Sequence, residues 1–254
     1  MSSFYKLHIK EVKRETPSAI SVAFTIPAEL KSAYQFTAGQ YVNLKLTLDG
    51  QEVRRAYSVC SSPNSGELRI SIKSVKSGHF SKFANDNLKA GDILEVSQPE
   101  GRFTFEPSFS NLKNYAAFAA GSGITPILSM IKTRLAAEPR STCKLFYVNK
   151  TAKSIIFKEE LEQLRNKYFG RLEIYYFLTK ERRDIELFNG RFDEDKMKVL
   201  TKTFIDIPSL NEAYINRPPK KLWTRTADSE WKENVPTRIS ITHDGKFTTR
   251  IFNN

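Results

Sequence analysis

The period of the apolar residues changes once along this chain, at 107–113 in the segment PSFSNLK, and that change limits the available folds more than any other feature. Before it, residues 5–12, 19–26, 41–48, 52–58, 67–75 and 93–98 alternate apolar with polar side chains or are rich in β-branched ones. Turn signals stand between them at Asp49-Gly50 and at Asn64-Ser65-Gly66. Period-two alternation gives a strand one apolar face, so six such strands with little helix between them predict a six-stranded antiparallel barrel. One helical stretch, 80–88, interrupts them after Ser77-Gly78.

Beyond 107–113 the order is strand 114–120, Gly121-Ser122-Gly123, helix 125–137, strand 143–149, helix 157–168, strand 172–178, helix 193–204 and a short strand 212–215. Strands alternating with helices build a parallel sheet covered by the helices. The chain therefore divides into a β-barrel domain at 1–108, an α/β domain at 109–216 and a divergent tail at 217–254. In the tail, residues 216–235 show no period and Pro218-Pro219 break the preceding strand. Residues 238–242 and 246–251 flank Asp244-Gly245 as a β-hairpin, with His243 a solvated residue at its turn.

Length and composition agree with two packed domains. The 254 residues are 40% hydrophobic and 27% charged, with 18 Phe and 10 Tyr, which excludes a disordered or low-complexity chain. The longest uncharged apolar run is 115–120, far below the roughly 18–20 residues that cross a bilayer, so no membrane span is expected. The amino-terminal MSSFYKLHIKEVKRE mixes charges with single apolar residues, unlike a signal peptide, and the only cysteines are Cys60 and Cys143. Both features predict a cytoplasmic protein without a thiolate metal site. The net charge of +12 favours an acidic partner, a phosphorylated ligand or nucleic acid. The cations are scattered, as on a solvated basic surface. The aromatics mostly occupy apolar alternation positions, which argues against a barrel that stacks single-stranded nucleic acid.

Three short motifs carry possible chemistry. In Arg55-Ala56-Tyr57-Ser58, Arg55 and Tyr57 share one strand face and Ala56 and Ser58 the other. A guanidinium can grip a diphosphate, an aromatic ring can lie against a flat heterocycle and a hydroxyl can reach a ring nitrogen. A rim arginine beside a core tyrosine would have the same wording. Gly78-His79-Phe80-Ser81 opens the helix of the barrel region, where first-turn amides attract phosphate, although Ser77 or Ser81 could equally be a helix cap. Gly121-Ser122-Gly123-Ile124-Thr125-Pro126 lies between an apolar strand and a helix, the context of a pyrophosphate-binding turn. Pro126 occupies the third glycine position of the dinucleotide fingerprint, so an ordinary dehydrogenase Rossmann domain fits poorly.

Taken in order, RAYS at 55–58, GHFS at 78–81, PEGRF at 99–103 and GSGITP at 121–126 resemble the ferredoxin–NADP reductase superfamily, over roughly 4–215. Within it the chain is most similar to reductase subunits of multicomponent oxygenases, above all the phenylacetyl-CoA epoxidase (phenylacetate degradation) type, through 80–105 and YVNKTAKSIIFKEELEQLRNKY. The resemblance implies a flavin-binding barrel before a nicotinamide-binding α/β domain. Arg55 would contact the FAD pyrophosphate, Tyr57 would stack on the isoalloxazine and Ser58 would bond near flavin N5; Tyr57 and Ser58 are thus the implied catalytic residues. Lys73, Gly78, His79, Phe80 and Ser81 would complete the flavin site, largely through backbone groups. Gly121, Gly123 and Thr125 would hold the nicotinamide dinucleotide. Thr179-Lys180, with Lys150, would meet a 2′-phosphate, which makes NADPH the expected donor and NADH the alternative. The implied activity is electron transfer from NAD(P)H through FAD to an oxygenase or iron–sulfur partner.

The chain also departs from that pattern. After Glu212-Ala213-Tyr214-Ile215 the family carries Cys-Gly-Pro, whereas this chain has Asn216-Arg217-Pro218-Pro219. The terminal hairpin resembles the start of a plant-type ferredoxin domain, but the cysteines that would bind its [2Fe–2S] cluster do not appear. The expectation is a shortened chain whose α/β sheet lacks its last helix and strand and exposes an apolar face, leaving that domain unstable, with an impaired, flavin-binding remnant as the alternative to a working reductase.

Overall fold

The computed structural model describes residues 3–216 and the strands at 237–241 and 247–251. Of the irregular stretch expected at 216–235, Asn216 ends a strand, while residues 217–235 and the turn at Asp244-Gly245 with His243 lie outside the described residues. The chain forms two compact units, Met1–Glu106 with Thr125–Thr133, and Pro107–Ile124 with Arg134–Asn254.

The first unit is the antiparallel barrel, with strands β1 (Phe4–Thr16), β2 (Ala19–Thr25), β3 (Tyr41–Leu48), β4 (Gln51–Ser58) and β5 (Leu68–Lys73), helix α1 (His79–Asn87) and strand β6 (Ile93–Ser97). The six strands lie in the order β4-β3-β6-β1-β2-β5. An antiparallel bridge from Val59 to Ile70 joins the two outer strands, so the sheet curls toward closure there. Inward positions of the alternating strands, among them Leu7, Ile9, Ile20, Val22, Val42, Leu44, Ile70 and Ile72, form one core, and α1 adds Phe80 and Ala84 to it. Ser129 and Lys132, in the Thr125–Thr133 part of this unit, donate to the carbonyls of Ser61 and Cys60 at 2.6 and 3.1 Å. They fix the backbone that leaves β4.

The second unit contains β7 (Asn114–Ala120), the two ends of the helix α2 (Ile124–Ala137) that follows the glycine turn, β8 (Thr142–Asn149), α3 (Lys158–Lys167), β9 (Leu172–Leu178), α4 (Glu194–Thr203), β10 (Leu210–Asn216), β11 (Thr237–Ile241) and β12 (Phe247–Ile251). Strands β10, β7, β8 and β9 are parallel neighbours in that order. Ala116, Ala117 and Ala119 make β7 small on both faces, as suits a strand buried on both sides. Tyr175 and Tyr176 show the two layers. The Tyr175 ring meets Phe204 just beyond α4, while the Tyr176 hydroxyl donates to Glu162 of α3 at 2.9 Å. The α4 layer is aromatic, with Phe118 stacked on Phe146 at 5.0 Å and Phe177 edge-on to Phe192 at 4.8 Å.

The edge of β10 is not bare. β11 pairs with it antiparallel, Ile215 opposite Thr237, and β12 follows. A strand edge presents a row of unpaired N–H and C=O groups, and the hairpin supplies their partners by lengthening this sheet.

Charge is buried at the N-terminal end of the parallel strands. Arg134 lies 3.4 Å from the Tyr115 ring centroid and donates to Tyr214 Oη at 2.8 Å, with Glu138 at 3.6 Å and Glu212 at 3.8 Å. Tyr115 donates to Glu138 at 3.0 Å, Tyr214 donates to Glu212, and Lys113 reaches Glu212 at 3.1 Å. Glu138 is fully buried and Glu212 nearly so. Removing one partner leaves buried carboxylates uncompensated, which outweighs the modest net worth of the intact network. Arg134→Met should therefore lower stability by about 3–5 kcal/mol, read as the shift in denaturant midpoint. A loss below 1 kcal/mol would mean that Lys113 and the tyrosines carry the two carboxylates unaided.

Candidate functional site

The β3–β4 register sets Tyr57 opposite Val42 and Arg55 opposite Leu44, so both lie on the face that points to the barrel core. Tyr57 is half-buried, and burial pushes its phenol up to about 12 against the opposing influence of Arg55. It is a neutral aromatic at ordinary pH. Its ring meets Phe80 with centroids 5.8 Å apart and planes 35° apart. That contact joins RAYS to GHFS, two motifs more than twenty residues apart in sequence. Ser58, half-buried, ends β4 opposite Tyr41. Arg55 is exposed, donates to its neighbour Arg54's carbonyl at 2.7 Å and has no carboxylate partner among the described residues.

Gly78 is the N-cap of α1, and no side chain caps the helix. Ser77 is not the cap. Ser81 instead donates to the Gly78 carbonyl at 3.2 Å and accepts from the Val75 amide at 3.2 Å, holding the turn closed from beneath. The first-turn amides of α1 thus lack a capping side chain, the condition under which a helix N-terminus takes an anion. His79 is exposed there, Lys73 is half-buried at the end of β5, and Phe80 is fully buried, so its side chain serves the core. An unpaired guanidinium, a half-open aromatic face and an uncapped helix end in one unit fit a flavin dinucleotide.

In the second unit the turn Gly121–Gly123 is a 3-10 element between β7 and α2. Gly121 takes φ +52°, the left-handed region that a side chain disfavours. Its carbonyl accepts from Tyr147 Oη at 2.9 Å, and the Gly123 carbonyl accepts from Asn216 Nδ2 at 2.9 Å. Thr125, buried, is the second residue of α2, and Pro126 follows in the first turn, where its missing N–H costs no helical bond. The strand order reverses between β7 and β10, and this turn leaves β7 at its carboxyl end, where open α/β sheets bind ligands.

Past the ends of β8 and β9 the ladder continues, with Thr179 N donating to the Asn149 carbonyl at 3.0 Å and Lys180 N to the Lys150 carbonyl at 2.8 Å. Two exposed lysines, Lys150 and Lys180, therefore stand side by side, with half-buried Thr179 next to them. Glu181 is turned away to accept from the Ala152 amide at 2.8 Å. Asn149 is only 4% exposed, and among the described residues its amide has no hydrogen-bonding neighbour other than the Tyr147 hydroxyl it lies against. A buried amide with so few partners beside a glycine turn fits a ligand with hydrogen-bonding groups. Asn149, Tyr147 and the direction of Asn216 were not among the sequence-derived site residues. The available signal was a polar residue closing each of two apolar strands, FYVN and AYIN.

Residues 6–105 match the oxidoreductase FAD-binding domain family and residues 118–215 the oxidoreductase NAD-binding domain family. The chain thus carries an oxidoreductase FAD-binding domain followed by an oxidoreductase NAD-binding domain. It is 38% identical to one subunit of the 1,2-phenylacetyl-CoA epoxidase of Escherichia coli over 86% of this chain and 61% of that protein. It is 35% identical to the ferredoxin reductase component of 3-ketosteroid-9-alpha-monooxygenase of Rhodococcus rhodochrous over 68% of this chain and 48% of that protein. The chain thus spans about half to three-fifths of the length of these relatives. Its fold is that of the ferredoxin NADP+ reductase of Neisseria gonorrhoeae, with TM-score 0.64 at 22% identity over 80% of this chain and 78% of that one. No helix among the described residues is long and apolar enough to cross a membrane.

The Gly78 turn is tight enough to test directly. A Cβ there would stand 2.4 Å from Ser81 Oγ and 2.5 Å from Val75 Cγ2. Gly78→Ala should cost about 1–3 kcal/mol in denaturant unfolding, and adding Ser81→Ala should recover part of the loss, because the Val75 clash persists. Strict additivity of the two substitutions would show that the clash is relieved elsewhere.

Proposed function

We propose that this chain is a reductase component that takes reducing equivalents from NADPH, with NADH the weaker donor, and passes them through FAD to an oxygenase or iron–sulfur protein, in catabolism of the phenylacetate type. Bound FAD supplies the exchange of a two-electron hydride for single electrons. The protein's part is to hold and orient. The Arg55 guanidinium grips the diphosphate, the Tyr57 ring lies on the flat heterocycle and the Ser58 hydroxyl approaches its N5 side. The first turn of α1, from Gly78 through His79 and Phe80 to Ser81, gives backbone amides to the same diphosphate, and Lys73 adds positive charge. Gly121, Gly123 and Thr125 hold the nicotinamide dinucleotide, with Lys150, Thr179 and Lys180 around its 2′-phosphate.

The Tyr57–Phe80 contact carries the flavin reading, because it gathers a cation, an aromatic face and an uncapped helix end from separate motifs. The phenylacetate reading is supported by the 38% identical relative. The donor preference is supported by the pairing of Lys150 with Lys180 through Lys180 N at 2.8 Å. Lysine there supplies a charge without arginine's fork.

The purified protein should show a flavin spectrum that bleaches on adding NADPH without oxygen. A flavin spectrum that persists would favour a flavin-binding remnant, and no flavin after adding FAD would overturn the reading. Lys180→Ala should raise the KM for NADPH roughly tenfold, about one lost charged contact, and leave the KM for NADH nearly unchanged. Equal changes for both donors would overturn the preference for NADPH.

A further inference from the structure

Asn216 is the last residue of β10, pairs with Ala119 of β7 and is only 8% exposed. The residue closes the strand Glu212-Ala213-Tyr214-Ile215 with an amide side chain. The amide does not lie idle. Its Nδ2 donates to the Gly123 carbonyl at 2.9 Å. From the strand on the other side of β7, Tyr147 Oη donates to the Gly121 carbonyl at 2.9 Å. Two donors, one from each neighbour of β7, thus hold two of the three carbonyls of the glycine turn.

The consequence follows from peptide geometry. Across a trans peptide the carbonyl of one residue and the amide of the next point in opposite directions. Holding the Gly123 carbonyl orients the Ile124 amide, and that amide donates to the Gly121 and Ser122 carbonyls, closing the 3-10 turn. Holding the Gly121 carbonyl orients the Ser122 amide. Asn216 therefore acts on the one peptide that both ends the turn and begins α2.

We propose that Asn216 is a positioning residue for dinucleotide binding, fixing the glycine turn in its ligand-ready shape from the end of β10. The inference rests on the reading that this turn holds the nicotinamide dinucleotide. Asn216 need not touch the ligand, because it works through the Gly123 carbonyl. Asparagine suits this task, since its amide N–H is a strong donor to a carbonyl.

The decisive variant is Asn216→Asp, which keeps the size and replaces the donor NH₂ with an acceptor. The dissociation constant for NADP+ should rise roughly ten- to a hundredfold, the scale of a buried hydrogen bond lost with its acceptor left unpaired. The Tm should fall in Asn216→Asp, which sets a buried carboxylate against a carbonyl oxygen, while the affinity for FAD should stay close to that of the unaltered protein. The gap in NADP+ affinity should narrow as the pH falls, because the introduced carboxyl, once protonated, can donate again. In Asn216→Ala the gap should not depend on pH, and this variant replaces the first if that one fails to fold. Unaltered NADP+ affinity in both variants would overturn the proposal. So would a parallel loss of NADP+ and FAD binding, which would mark a general loss of structure. If the unaltered protein binds neither NADP+ nor NAD+, the functional reading of the turn fails, and the proposal fails with it.

Discussion

A parallel strand buried on both faces must end by satisfying backbone groups that have no further ladder, and β7 meets this need within its own turn. Gly121 bends into the left-handed region, the Ile124 amide closes the 3-10 turn, and Tyr147 and Asn216 take up two carbonyls from the flanking strands. The carbonyls are held toward β8 and β10, and no side chain caps the first-turn amides of α2. This arrangement sets the start of α2. It also places the glycine residues where the strand order reverses.

The first unit solves a similar problem with a different device. The bridge between Val59 and Ile70 draws the outer strands together, and α1 packs Phe80 and Ala84 into the barrel core. Because Phe80 is anchored there, Tyr57 has a fixed partner for its ring, and the uncapped first turn of α1 is set beside the end of β4. The same buried ring thus contributes stability and positions the groups proposed to hold the flavin. Its neighbours in the motif, His79 and Ser81, divide the remaining work, one exposed and the other closing the Gly78 turn from below.

Stability and chemistry are separated along the parallel strands. The buried ions, Arg134 with Glu138 and Glu212, sit with Tyr115 and Tyr214 toward the amino-terminal end of the sheet, where each charge has hydrogen-bonding partners. The sparsely partnered amide of Asn149 and the exposed Lys150 and Lys180 lie at the carboxyl end. Satisfied polar groups rigidify one end, and sparsely partnered or exposed ones at the other are available to a ligand.

Local pattern was enough for much of this. Strand periodicity marked the barrel strands, β7 to β9 and the helices between them, because each element has an apolar face that can be read within a dozen residues. The glycine turn was legible from its place between strand and helix, and the ordered motifs pointed to the family. Tertiary structure decided what depends on distant partners. No local rule reveals that Tyr57 meets Phe80, that Ser81 rather than Ser77 secures the Gly78 turn, or that Arg134 is shared by two buried carboxylates. The terminal hairpin was visible as alternation, but its place beside β10 follows from an unpaired strand edge, a property of the assembled sheet. Asn216 makes the same point most narrowly. The sequence determined that an amide closes this strand, and only the folded sheet, by bringing β10 alongside β7, determined that this amide holds the Gly123 carbonyl.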